Sequence, residues 1–164
     1  FLEIARYSLS TITLQYSEIN LTRLLEQLVY EFQPVLDQKS LTCRLVAGDG
    51  ILLKCDAGKL QRVFDNLLRN AVNYSYDGTE IAIEAKHSGD SVTLKLSNCG
   101  GTIPREKLER IFEQFYRLDT GRGSSGNGLG LAIAKQIITL HKGTITVESG
   151  DGLTVFTVTL PAVS

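Results

Sequence analysis

The chain has 164 residues, 43% hydrophobic and 21% charged, which is the length and usage of about one globular domain. That composition excludes a disordered tail or a short peptide, because there is enough apolar surface to bury a core. With 17 basic and 18 acidic residues the net charge is −1, without the basic excess of a nucleic-acid binder.

No apolar run approaches the roughly 20 residues of a membrane span. No charged n-region runs into an apolar h-region as in a secretory leader. The first residue is Phe1 rather than Met, so a piece of a longer protein is expected. Cys43, Cys55 and Cys99 are widely spaced and form neither a disulfide framework nor a CxxC metal pair. They are expected to be reduced, buried or incidental thiols. His87 and His141, the only histidines, make no zinc site without clustered cysteines, and both are expected at surface or capping positions.

Residues 1–19 read as an opening segment, with Phe1–Tyr7 as the last turns of a helix and Thr11–Leu14 as a short strand. From Asn20, a good helix cap, Leu21, Leu24, Leu25, Leu28, Val29 and Phe32 recur at helical spacing. Pro34 is expected to kink or end that helix, whose furthest reach is Asp37. Thr42–Val46 and Ile51–Lys54 read as strands around a Gly48-Asp49-Gly50 turn. Asp56 caps a second helix, with Leu60, Val63, Phe64, Leu67, Leu68 and Ala71 as its apolar stripe and its end near Tyr74.

A hairpin follows. Ile81, Ile83 and Ala85 share one face of its first strand and Val92, Leu94 and Leu96 one face of its second, joined through Ser88-Gly89-Asp90. Pro104 to Phe115 reads as a helix with proline near its start. After the Gly/Ser-rich stretch Thr120–Gly130, a helix runs from about Leu129 to Leu140. A closing hairpin pairs Thr144–Glu148 with Thr154–Leu160 across a Gly150-Asp151-Gly152 turn. Each long strand alternates, so each has one buried and one polar face. The expected fold is α+β, in two layers, a mixed sheet with helices on one face.

Clusters of residues suggest a nucleotide. Asn66, Asn70 and Asn73 stack on one helix face at i, i+4 and i+7, flanked by Arg62 and Arg69. Asn costs roughly 0.5 kcal/mol relative to Ala at a helix interior, so the series is read either as a solvated face or as amide oxygens turned to a hydrated cation such as Mg²⁺. Asn98-Cys-Gly-Gly-Thr-Ile-Pro104 ends a strand, where Gly100 and Gly101 allow close backbone approach and Asn98 can accept from an adenine amino group. Gly121 to Leu131 contains a G-x-G-x-x-G match, but no strand precedes it and no Gly-Lys-Ser/Thr occurs, so neither a dinucleotide fingerprint nor a P-loop is read there. A loop leading into a helix near Gly128–Gly130 remains, with N–H groups that can hold phosphate and with Arg117 and Arg122 as cations.

In this order and spacing, over about residues 20–160, the segments resemble the ATP-binding catalytic domain of sensor histidine kinases, a branch of the superfamily that also holds gyrase, Hsp90 and MutL. Asn66–Ser75 is similar to the N box of that family, and Asn98-Cys-Gly100 with Ile103-Pro104 to its first glycine box. Phe112–Arg117 is similar to the F box and Gly126–Leu131 to the second glycine box, and Thr154 stands at the final Gly-Thr box. The resemblance implies a Bergerat-type two-layer sandwich that binds ATP and Mg²⁺ and moves the γ-phosphoryl group to a histidine.

It further implies that Asn70 contacts Mg²⁺, that Asn66 lies near the phosphates and that Tyr74 lies beside adenine or ribose. Asn98, Gly100, Ile103, Gly126, Gly128, Leu129, Gly130, Leu131 and Thr154 would line the nucleotide, and Arg117 and Arg122 would neutralise phosphate. Asn98 stands where the family usually has Asp, Thr102 where it has Gly, Asn73 where Lys is frequent, and Leu153 where the last box has Gly. Residues 1–19 would be the end of a dimerisation helix and linker, and 20–164 the catalytic domain. The acceptor histidine would lie on a dimerisation domain outside this chain, in a membrane-anchored homodimer with the catalytic domain on the cytoplasmic side. A cognate response regulator would receive the phosphoryl group. The alternatives are a hydrolytic ATPase, for which Asn66 stands where a general base is needed, and a non-catalytic nucleotide-gated interaction module.

Overall fold

Asn20 ends a strand and starts a helix. Its backbone is extended (φ −94°, ψ 102°) and its side chain accepts from the Arg23 N–H at 3.1 Å, satisfying one of the donors a helix start leaves open. In this computed structural model, which describes residues 13–114, 116 and 130–162, the strand is β1 (Ser17–Asn20) and the helix α1 (Leu21–Gln38). Leu21, Leu25, Leu28, Phe32 and Leu36 turn one side of α1 into the core. Pro34 does not end the helix. It lies on the exposed side, while Phe32 and Leu36 on either side of it hold the chain to the core.

β2 (Thr42–Ala47) and β3 (Leu52–Cys55) follow, then α2 (Ala57–Tyr74). β1 pairs antiparallel with β3, Ser17 opposite Cys55 and Asn20 opposite Leu52. The strand expected at Thr11–Leu14 is a correction: residues 13–16 have no regular structure, and 11 and 12 lie outside the described residues. The ladder stops because β3 stops. Asp56 leaves it to cap α2, and the Gln15 N–H, which would have continued the ladder, donates to the Asp56 carboxylate at 3.0 Å.

Asp56 is a junction. Its carboxylate also accepts from the Lys59 N–H at 3.2 Å and the Lys59 ammonium at 3.3 Å, and its own N–H donates to His141 Nε2 at 3.0 Å. A backbone N–H can only donate, so Nε2 accepts and the proton sits on Nδ1, which donates to the Ile137 carbonyl at 2.9 Å. His141 is therefore a buried clamp, 4% exposed, and not the surface or capping residue expected. His87 is exposed, as expected.

The main sheet holds β2, β4 (Glu80–Ser88), β5 (Ser91–Cys99), β6 (Thr144–Gly150) and β7 (Leu153–Pro161) in the order β2-β4-β5-β7-β6. The β2–β4 pair is parallel and the others antiparallel, which is the mixed α+β sheet expected. Ile81, Ile83 and Ala85 of β4, Val92, Leu94 and Leu96 of β5, and Phe156, Val158 and Leu160 of β7 face one core with the stripes of α1, α2 and α4 (Gly130–Leu140). Glu84 and Lys86 alternate outward from β4, as does Lys95 from β5. Among the described residues no helix is long and apolar enough to cross a membrane.

The helix expected over Pro104–Phe115 is a second correction. Only α3 (Arg105–Leu108) is helical, followed by turns through Gln114, and Phe115 lies outside the described residues. α3 buries no residue and has no side-chain cap, so nothing carries it past its nucleating turn. Tighter bonds, such as Arg110 N–H to the Lys107 carbonyl at 3.0 Å, then bring Ile111 into the core and Phe112 edge-on to Phe156.

The cysteines are free, as expected. Burial, with Glu80 nearby, pushes the Cys43 thiol up to about 11, and burial beside Asp56 does the same to Cys55, so neither is a ready nucleophile. Burial alone would raise the Asp56 carboxyl, but the N–H groups of Gln15 and Lys59 and the Lys59 ammonium hold it below its ordinary 3.8. The ionised form thus stabilises the fold fully above that value, and this contribution fades as pH falls through the lowered one. Asp56→Asn should cost about 1 kcal/mol in urea unfolding at neutral pH. The difference from the unaltered chain should shrink below pH 3.8.

Candidate functional site

On β5 the inward series Val92, Leu94, Leu96 ends in Asn98, and on β7 the series Leu160, Val158, Phe156 ends in Thr154. Asn98 and Thr154 are register partners, 3% and 4% exposed. At this one end of the core face, paired strands exchange apolar residues for polar ones, which is costly unless something polar is received there. A cavity of about 210 Å³ opens above them. Asn70 and Tyr74 of α2 form one wall, Gly101, Thr102, Ile103 and Pro104 another, and Lys107 of α3 brings a cation to its edge. No carboxylate lines it among the described residues, so the cavity suits an anionic ligand.

The loop after β5 is fastened on both sides. Toward α2, the Tyr76 N–H donates to the Cys99 carbonyl at 2.9 Å. Toward the β6–β7 hairpin, the Gly100 N–H donates to the Gly152 carbonyl at 2.9 Å and the Gly152 N–H to the Thr102 hydroxyl at 2.8 Å. The Ile103 N–H donates to Ser149 Oγ at 2.9 Å, and Ser149 Oγ meets Thr154 Oγ1 at 2.9 Å. A Cβ on Gly100 would run into the Tyr74 carbonyl oxygen, so only glycine lets the loop lie this close to α2.

The end of α2 is held as firmly. The Ser75 hydroxyl donates to the Ala71 carbonyl at 2.6 Å, and the Lys39 ammonium donates to the carbonyls of Val72 at 2.8 Å and Ser75 at 2.9 Å. A cation on the last carbonyls of a helix complements its dipole. Sequence reading overlooked Lys39, because the contact spans separate elements.

Of the residues singled out from sequence, Asn70, Tyr74, Asn98, Ile103 and Thr154 meet at the cavity. Gly100 lies buried beneath the loop. Asn66 does not line the cavity. Its Nδ2 donates to the Gly130 carbonyl at 3.1 Å, fixing the first residue of α4 to α2, and Leu131 packs against the core on the same helix. Asn73 is exposed outside the cavity. Arg117, Arg122, Gly126, Gly128 and Leu129 lie outside the described residues. Lys107 was missed. Its signal was its place one helical turn after Pro104, on a helix too short to show periodicity.

Residues 55–164 match the family described as histidine kinase-, DNA gyrase B-, and HSP90-like ATPase. The chain belongs to that family. The sensor protein VanSC of Enterococcus gallinarum is 46% identical over 163 residues, covering 98% of this chain and 45% of that protein. VanS of Enterococcus faecium is 48% identical over 164 residues, covering 99% of this chain and 42% of that protein. This ATPase-family chain thus spans less than half the length of these relatives. The catalytic domain of the histidine kinase ThkA superposes with a TM-score of 0.83 at 26% identity, over 91% of this chain and 97% of that one. ThkA in complex with the response regulator TrrA superposes with a TM-score of 0.83 at 25% identity, over 99% of this chain and 46% of that one.

Gly100→Ala should lower stability by about 1–3 kcal/mol, because the added methyl meets rigid backbone. Gly101→Ala, whose Cβ would lie 3.6 Å from the Tyr76 hydroxyl, should stay within about 0.5 kcal/mol. Thermal unfolding of the two variants checks the contrast.

Proposed function

We propose that this chain is the catalytic domain of a two-component sensor kinase. It binds ATP in the cavity between α2 and the Asn98–Thr154 strand ends, and donates the γ-phosphoryl group to a histidine on a dimerisation domain of the same protein. The supporting observation is the cavity itself: a buried polar floor for a base, an amide on one wall and a cation at the edge. Neutral imidazole is already a nucleophile, so the domain's task is to hold the triphosphate in line and stabilise charge.

Asn70 presents an amide to the cavity, and among the described residues no cluster of three His, Cys, Asp or Glu could cage a metal alone. That donor set fits Mg²⁺, which takes hard oxygens sparingly from protein and otherwise from water and phosphate. When bound, Mg²⁺ would supply charge neutralisation on the phosphates. Asn98 and Thr154 hold the base, with Tyr74 beside base or ribose. Lys107 would draw the phosphates at the cavity, and Arg117 and Arg122 remain the further cations proposed for them from sequence. Asn66 acts through Gly130, holding the start of α4 beside the site.

Similarity to the VanS proteins supports a role in vancomycin-resistance signalling. The proposed parent is a membrane-anchored homodimer with this domain on the cytoplasmic side. Of residues 1–19, expected from sequence as the end of a dimerisation helix and linker, 17–19 pair into β1, and the segment before them would lead back to the dimerisation domain; a response regulator is the proposed phosphoryl acceptor of the parent protein.

Calorimetry with a non-hydrolysable ATP analogue should show binding that Mg²⁺ tightens. Asn70→Ala should remove about 10- to 100-fold of that Mg²⁺-dependent affinity. With ³²P-labelled ATP the chain alone should remain unlabelled, since His141 is clamped on both ring nitrogens and His87 sits at the end of β4. Adding the dimerisation domain should place label there and nowhere else. Label on the isolated chain, or steady phosphate release from it, refutes the reading.

A further inference from the structure

Asn98 is 3% exposed, lines the cavity, and makes no hydrogen bond through its amide to another described residue. Its amide is therefore open to the cavity, because among the described residues no enclosed side-chain polar atom is left without a partner. An asparagine amide offers an acceptor on one side and donors on the other, and its terminal torsion has two nearly equivalent settings. The neighbouring backbone leaves room for both. A Cβ at position 100 would stand 3.3 Å from Asn98 Nδ2, and glycine keeps that side clear.

The partner on the opposite strand is equally reversible. Ser149 Oγ accepts from the Ile103 N–H, and in the Ser149–Thr154 hydroxyl pair either oxygen can be the donor. When Ser149 donates to Thr154, the Thr154 proton is left for the cavity. When Thr154 donates to Ser149, a Thr154 lone pair faces the cavity instead. The side chains of Asn98 and Thr154 thus carry no charge, and each can present a donor or an acceptor to the cavity.

We propose that the base end accepts 6-oxopurine nucleoside triphosphates as well as ATP. This rests on the cavity being the ATP site. Toward adenine, Asn98 Oδ1 accepts from the 6-amino group and Thr154 donates to N1. Toward hypoxanthine or guanine both polarities reverse: Asn98 Nδ2 donates to O6 and Thr154 accepts from N1–H. A carboxylate at position 98 has no such second setting, because it cannot donate.

The test measures dissociation constants of ATP and inosine triphosphate, in Mg²⁺, for the unaltered chain and for Asn98→Asp. Inosine triphosphate changes the 6-position and N1 and adds no 2-amino group. The unaltered chain should bind the two within about tenfold of each other, whereas Asn98→Asp, whatever its own affinity for ATP, should bind inosine triphosphate at least about a hundredfold more weakly than it binds ATP. Rejection of inosine triphosphate by more than tenfold in the unaltered chain overturns the inference and leaves the ATP site standing. Equal acceptance of inosine triphosphate by Asn98→Asp overturns the role of the amide. Failure of both nucleotides to bind the unaltered, folded chain overturns the ATP site itself. The ratio in the unaltered chain depends on no variant folding.

Discussion

The site exists because Gly100 lies against the Tyr74 carbonyl. That contact brings the end of a strand and the end of a helix to one place. Without it, the polar floor of β5 and β7 and the amide wall of α2 would belong to separate surfaces. The Tyr76 N–H on the Cys99 carbonyl and the Gly100 N–H on the Gly152 carbonyl seal the same corner from either side. The Cys99 carbonyl and the Gly100 N–H are thereby paired within the protein. Thr102 adds a further tie: its hydroxyl accepts from the Gly152 N–H and links the loop to the closing hairpin.

α2 is the rod on which this corner is set, and both of its ends are gripped from elsewhere in the chain. At its start Asp56 gathers Gln15, Lys59 and, through its backbone, His141 at the end of α4. At its finish Lys39, just beyond α1, takes the exposed carbonyls. Between these grips Leu60, Phe64, Leu67 and Leu68 are fully buried, so the helix can neither slide nor roll. Asn70 and Tyr74 inherit their positions from that restraint. Asn66 sits on the same helix but turns its amide to Gly130, so neighbouring asparagines do unlike work.

Much of the fold could be read from the sequence because local chemistry and global packing agree. The Asn20 and Asp56 caps, the α1 and α2 stripes and the alternation of the hairpins each state the same answer the core requires. The misreadings came where a segment's fate is decided by a distant partner. Thr11–Leu14 looked like a strand, but a ladder needs an opposing strand, and Asp56 ends that one. Pro104–Phe115 read as a helix with proline near its start, yet α3 buries nothing along it. His141 gave no sign of burial, since its acceptor role depends on an N–H far away in sequence. At the site, Asn70, Tyr74, Asn98, Ile103 and Thr154 were legible from motif order, whereas Lys39 and Lys107 act across element boundaries and left no periodic trace. The period-two phase of β5 and β7 was available to sequence reading and would have marked Asn98 and Thr154 as a pair of polar intrusions into a buried face.

The neutrality of that pair decides how the site divides its labour. A carboxylate held this deep would have to be desolvated, and its charge would then act on everything bound above it. An amide and a hydroxyl avoid that cost, and they would add no repulsion toward a triphosphate in the proposed site. Lys107 stands toward the opening, where its stem can pack while its ammonium keeps water until an anion displaces it. In the proposed nucleotide site, Asn98 and Thr154 would contribute shape and hydrogen bonds, and Lys107 would contribute charge. In the proposed ATP site, affinity would depend on salt through the phosphates, because the cation that lines the cavity is the exposed Lys107.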